Sequence, residues 1–326
     1  MDKAELKDKI RACHNLPSSP EVAKRLIALM ETDCPDIEDM VSILSSDSVL
    51  TAKVLQLANS SFFPYKYKVT TLPKAAILIG YNGILATALS FTLVTHLKNE
   101  HSHGLNLELF WRRSLLAASV CRAVGGVCGR KDVEELFLVG LIQDIGMLVL
   151  DRVMPETYAS EKLDQFSHGQ VSDHEVQVLG TTHAEVGSWL LTDWNFPAKI
   201  CVAVQLSDES GPYPGASGSD KFYNCVLLGV QLTQLLLNEA KLEAFVGLVE
   251  LDENRLGVDP FAFAMNIKNI KDILRETESL FEMNSNSDVQ LQQLAEQAKT
   301  LLGRRNKQLA TQLDALFLQE AMPGVG

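Results

Sequence analysis

Apolar residues recur along most of the chain at three- and four-residue intervals, the spacing that lines one face of a helix. Few runs alternate with the two-residue period of a strand. "SSPEVAKRLIALM" offers Ser19 as an N-cap and Pro20 as the first helical residue, then sets Val22, Leu26 and Leu29 on one face. "PDIEDMVSILSSD" and "DSVLTAKVLQLANS" repeat the pattern behind Asp36 and Asp47, whose short carboxylates can accept the free N–H groups of a first helical turn. "TTLPKAAILIGYNGILATALSFTLVTHL" predicts two more helices with a break near Gly80 to Gly83, so that five helices fill the first hundred residues.

A long helix is predicted over Leu107 to Val127, and a second apolar helix carries one carboxylate, Asp144, in the middle of "LFLVGLIQDIGMLVL". "PETYASEKLDQF" and "SDHEVQVLG" continue the helical pattern. "TTHAEVGSWLLTDW" has a capping-box spacing from Thr182 to Glu185 and puts His183, Val186, Leu190 and Trp194 on one face. Pro197 opens a short helix. The first break in composition is the Gly-, Ser- and Pro-rich stretch over residues 207–220. An all-α helical domain over residues 1–206, that loop, and a C-terminal helical region over 221–326 packed on or extending the domain are therefore expected. The Gln- and Leu-rich tail has helical spacing and a face for a second helix, which makes a homodimer one expectation, although clean heptads are not sustained.

With 326 residues and 46% apolar content the chain can bury a sizeable core. Six cysteines at irregular spacings, none in a Cys-x-x-Cys pair, argue against both a disulfide framework and a zinc ribbon. The charged N-terminus is unlike a signal peptide and no window is apolar for the length of a membrane span, so a cytoplasmic protein without a membrane partner is expected. A net charge of −12 would repel a phosphate backbone and argues against nucleic acid. The basic cluster "GRRNK" reads as a solvated helix face.

The segments "NLPSSPEVAKRLIAL", "IEDMVSILSSDSVLTAKVLQLANSSFF", "TTLPKAAILIGYNGILATAL", "LFWRRSLLAASVCRAV", "LFLVGLIQDIGMLVL" and "LGTTHAEVGSWLLTDWNFPAKICVAV", in that order, resemble the HDOD family of bacterial signalling proteins. The resemblance runs from about Leu16 to Leu206. It implies a multi-helix fold in which an N-terminal helical lobe packs on a degenerate HD-type lobe, and a regulatory role with a protein partner or a small signalling ligand. It also implies where the metal ligands of the distantly related HD hydrolases would fall. Arg113 in "FWRRS" stands at the early His, Gln143 at the His of the His-Asp pair, Asp144 at its Asp, His183 at the later His, and Gln205 near the terminal His pair.

Chemistry then judges those substitutions. The guanidinium of Arg113 stays protonated and repels a cation, and the neutral amide of Gln143 is a weak ligand. Asp144 and His183 remain as two good ligands, whereas a hydrolytic site keeps three or more around an open position for water. No catalytic metal and no cofactor are expected, and a metal, if bound, would use Asp144 and His183. Two readings of that pair stay open. In one, Asp144 and His183 form a buried carboxylate–imidazole contact joined by Arg113; in the other, Asp144 bonds to backbone and His183 is an ordinary core histidine. A divergent metal-dependent phosphohydrolase acting on a nucleotide or cyclic dinucleotide is the alternative function.

Other candidates read as structural. His168, Asp173 and His174 fit a solvated loop and helix start capped by Ser172 or Asp173. "HSHG", His101 to Gly104, fits a short polar connection. "VGGVCG" does not open a helix and is no phosphate loop, and Cys121 and Cys128 fit buried fillers. Phe62 and Phe63 fit packing between lobes, with Tyr65 and Tyr67 exposed.

Overall fold

Every element among the described residues is helical, as the three- and four-residue apolar spacing requires. The computed structural model describes residues 3–13, 16–17, 19–32, 36–63, 65–98, 101–158, 168–208, 218–238, 260–283 and 291–298, and the single residues 244, 256 and 300. The coiled-segment expectation and "GRRNK" lie largely outside these residues, as does most of "PETYASEKLDQF".

The first hundred residues hold six helices, one more than expected: α1 (Lys3–Ala12), α2 (Glu21–Met30), α3 (Ile37–Ser45), α4 (Ser48–Ala58), α5 (Leu72–Ile79) and α6 (Tyr81–Leu97). The extra helix, α1, buries only Leu6, too little to mark the sequence with a periodic face. Asp36 accepts from the backbone N–H of Glu38, and Asp47 from those of Val49 and Leu50, so both carboxylates cap as expected. Ser19 does not. Pro20 occupies the N-cap and the Ser19 hydroxyl is buried without a hydrogen-bond partner. The chain turns between α5 and α6 at Gly80, whose φ of 90° suits a residue without Cβ, and the two helix axes differ by 110°. No single described helix is long and apolar enough to cross a membrane.

The second lobe is organised by α7 (Leu107–Val127), against which α8 (Val133–Ile142) packs. It continues through α9 (Ile145–Val153), a 3-10 turn at Pro155–Thr157, α10 (His168–Leu179), α11 (His183–Asp193) and α12 (Ala198–Leu206). α13 (Gly218–Leu237) begins inside the stretch read as a loop, because the apolar face starting at Phe222 is long enough to draw the preceding turn into the helix. It lies on α7, as does α14 (Pro260–Phe281), which also touches α4. The hydrophobic core is continuous from Leu6 through both lobes to these last helices.

Two ion-pair groups fix the joints between elements. Arg122 donates to Glu134 at 2.6 Å while its guanidinium lies 3.8 Å over the ring of Phe62, tying the end of the α4 region to α7 and α8. Phe62 and Phe63 are accordingly half-buried, and Tyr65 and Tyr67 are exposed. Lys199 of α12 donates to both Asp132 and Glu135 at 2.8 Å, and Asp132 also accepts from Arg130. The "HSHG" connection is held by Asp151, a buried carboxylate that accepts the backbone N–H groups of His103, Gly104 and Leu105.

Candidate functional site

The apolar run around Asp144 is two helices, not one. α8 ends at Ile142, α9 begins at Ile145, and Gln143 and Asp144 form the joint. A break there frees the Asp144 carboxylate from any capping bond, and the apolar flanks bury it completely. α9 then crosses α11 with no space between backbones. A Cβ at Gly146 would sit 1.9 Å from the carbonyl oxygen of His183, so only glycine permits the approach that sets Asp144 beside the His183 ring.

Arg113 comes in from α7 and places its Nε 2.9 Å from Asp144 Oδ2, its side chain only 11% exposed. Nε2 of His183 lies 3.3 Å from the other oxygen, Asp144 Oδ1. Three of the residues marked by sequence thus meet. Gln143 is buried next in the chain, with both amide atoms lacking a hydrogen-bond partner. Gln205 lies outside the cluster: it is exposed on α12, whereas Asp208, just past the end of that helix, faces the two histidines.

The solvated reading of His168 is also corrected. α10 already includes His168, five residues before Asp173, and buries His168, Val171, Ser172, Glu175 and Leu179. These positions are spaced as one helical face, with His168 and Glu175 two turns apart. Asp173 remains exposed and His174 half-buried. His168 Nε2 lies 2.8 Å from Asp208 Oδ1 and 3.6 Å from Asp144 Oδ1, and the two imidazoles stack obliquely with centroids 4.6 Å apart. His183 Nε2 is 3.3 Å from Asp208 Oδ2. Glu175 holds the far side of His183, accepting its backbone N–H at 2.7 Å and facing Nδ1 at 2.8 Å, while its second oxygen accepts from the Tyr158 hydroxyl at 2.5 Å.

The cluster is electrostatically tight. Burial alone would raise the Asp144 carboxyl, but Arg113, His168 and His183 outweigh it and hold the group well below the usual carboxylate range. Asp208 is depressed against its burial in the same way, chiefly by the two histidines. Burial pulls His183 down, yet Asp208, Glu175 and Asp144 together hold it well above an ordinary histidine; His168, desolvated and facing Arg113, is lowered. Cys121 plays no part: burial pushes its thiol up to about 12.

The donors suit a first-row divalent ion better than the sequence indicated. Two good donors, Asp144 and His183, were expected; the fold adds His168 and Asp208, and Asp144, His168 and His183 offer ligand atoms within 4.8 Å of one another. Asp144 Oδ1, Asp208 Oδ2 and both Nε2 atoms are buried without an aligned hydrogen bond. Imidazole nitrogen and carboxylate oxygen are the usual donors to zinc, manganese and iron.

Against known proteins, the HDOD domain model matches residues 16–210. The chain belongs to the HDOD family. Solved structures share the fold: an HDOD domain protein from Geobacter sulfurreducens aligns with a TM-score of 0.67 at 18% identity, covering 84% of this chain and 96% of that one. A provisionally named phosphohydrolase from Shewanella amazonensis aligns with a TM-score of 0.65 at 20% identity, covering 85% and 98%. A provisionally named signal transduction protein from Marinobacter aquaeolei gives 0.60 at 21%, covering 88% and 65%. In sequence, an uncharacterized protein of Treponema pallidum is 23% identical over 209 residues, which is 62% of this chain and 39% of that protein's length. These likenesses establish the HDOD helical fold; the chemistry of this member rests on its own cluster.

Proposed function

We propose that this HDOD protein is a non-catalytic signal-transduction module that binds a protein partner or a small signalling ligand on its helical scaffold, with the HD-type core serving as a structural centre. The observation that carries this reading is the closure of the core. Asp144 and His183 are fully buried, and Arg113 occupies the side of Asp144 on which an HD hydrolase would have its early histidine. Metal-dependent hydrolysis needs an open coordination position for water and a path for the phosphoester. Complete burial of Asp144 and His183, with Arg113 against the carboxylate, argues against both. Open surface lies elsewhere, as in the groove of about 630 Å3 between α4 and α14 lined by Gln56, Asn59, Lys68, Glu276 and Ser279.

The second reading, a divergent phosphohydrolase acting on a nucleotide or cyclic dinucleotide, is favoured by one feature, the convergence of Asp144, His168 and His183. Release of phosphate or nucleotide from nucleoside phosphates and cyclic dinucleotides, measured with added manganese, iron, nickel or zinc, separates the two. Rates at background, equal in wild type and Asp144→Asn, are expected. Hydrolysis that Asp144→Asn abolishes would overturn the non-catalytic reading.

A further inference from the structure

Asp144 and His183 are positions that the HD-type architecture marks; His168 and Asp208 are not, and they complete the arrangement. We infer that Asp144 Oδ1, His168 Nε2, His183 Nε2 and Asp208 form a closed four-ligand site for one divalent transition-metal ion. Distances are the first argument. A tetrahedral ion with bonds of about 2.0–2.1 Å holds its ligand atoms about 3.4 Å apart. Here Asp144 Oδ1 to His183 Nε2 is 3.3 Å, Asp144 Oδ1 to His168 Nε2 is 3.6 Å, and Asp208 Oδ2 to His183 Nε2 is 3.3 Å. A carboxylate and an imidazolium paired directly close to about 2.7–2.9 Å, which these three contacts do not; His168 Nε2 to Asp208 Oδ1, at 2.8 Å, is the one contact among the four ligand residues at that separation and would lengthen when an ion enters.

Orientation is the second argument. Glu175 fixes Nδ1 of His183, the carboxylate partner that orients the ring of a metal-binding histidine and leaves Nε2 as the donor. That Nε2 then faces two carboxylates at 3.3 Å each, a position that suits a positive charge, whether a proton on the ring or a metal ion in its place. His168 Nε2 faces the same two carboxylates. Three carboxylates and one guanidinium meet two imidazoles here, so a divalent ion brings the group to neutrality with both rings neutral. Arg113 does not compete for the position, because its Nε contacts Oδ2 of Asp144, the oxygen not used by the histidines.

The test uses the full-length protein stripped of metal by dialysis and titrated with Zn2+ by calorimetry and with Co2+ by visible spectroscopy. One ion per chain, a higher melting temperature, and the intense ligand-field bands of tetrahedral cobalt are expected. His168→Ala and Asp208→Asn should each weaken Zn2+ binding by more than the roughly 10- to 100-fold that loss of an outer partner costs, and Glu175→Gln by an amount within that range. His174→Ala, a half-buried neighbour on the same helix, should change nothing. Asp208 sits at the edge of the cluster, so the isosteric Asp208→Asn reports on binding even where His168→Ala misfolds. Zero stoichiometry, or an affinity untouched by Asp208→Asn, overturns the site. This inference is independent of the proposed lack of turnover: a bound ion without hydrolysis supports both, whereas hydrolysis lost in Asp144→Asn leaves the ion and removes only the non-catalytic reading.

Discussion

Asp144 is a charge that the fold can tolerate only in company. Its burial is complete, and the cation fixed beside it is Arg113 at 2.9 Å. Replacing Arg113 by Met keeps the packing volume and leaves the carboxylate short of positive charge. Removing one partner of a buried pair typically costs about 3–5 kcal/mol, so Arg113→Met should lower unfolding free energy in urea by that order, while Arg113→Lys recovers part of it. At this scale the sequence disclosed Arg113, Asp144 and His183, because the carboxylate interrupts an apolar run and the family pattern marks the others. His168 and Asp208 stayed hidden for a physical reason. Each is a polar residue in a polar stretch, "SHGQVSD" and "QLSDES", and nothing local distinguishes a polar group facing water from one facing the core. The spacing of His168, Val171, Ser172, Glu175 and Leu179 was the available signal, obscured by the presence of only two aliphatic residues among the five.

Helix contacts decide where those residues can meet. Gly146 is the point at which α9 touches α11, and a methyl group there must move the His183 backbone. Gly146→Ala should therefore destabilise the protein by about 1–3 kcal/mol, the usual cost of overpacking, read as a lowered urea midpoint. The start of α8 is pinned to α12 by Lys199. Burial raises the Asp132 carboxyl, but Arg130 and Lys199 prevail and bring it down to about 2. A carboxyl depressed in the folded state stabilises above its unfolded value and loses that contribution as pH falls toward the folded value. Wild type should thus lose stability between about pH 4 and pH 2 from this group, and Asp132→Asn should flatten that part of the pH profile while lowering stability at neutral pH. The helical periods, the Asp36 and Asp47 caps and the break at Gly80 were all readable from the sequence. The break at Gln143 was not, since both of its flanks carry the same apolar pattern.

For the whole molecule, the family match and the packed body have different limits. The HDOD match ends at residue 210, yet α13 and α14 lie on α7 and bury Phe222, Val226, Leu228, Ile270 and Leu274 in the common core. A chain ending at residue 217 should expose the α7 face, bind a hydrophobic dye and lose its cooperative melting transition; a sharp transition at the full-length temperature would mean that the last helices are accessory. The charged cluster has its own consequence for how the chain is made. Its members are spread from Arg113 to Asp208 over α7, the α8–α9 joint, α10, α11 and the end of α12. During synthesis Arg113 precedes Asp144, whereas His168, His183 and Asp208 follow it, so the complete cluster can assemble only after the end of α12 has emerged. Closing the second lobe therefore joins parts of the chain that are made far apart in time, and a chain cut before Asp208 would carry the Asp144 charge with fewer partners.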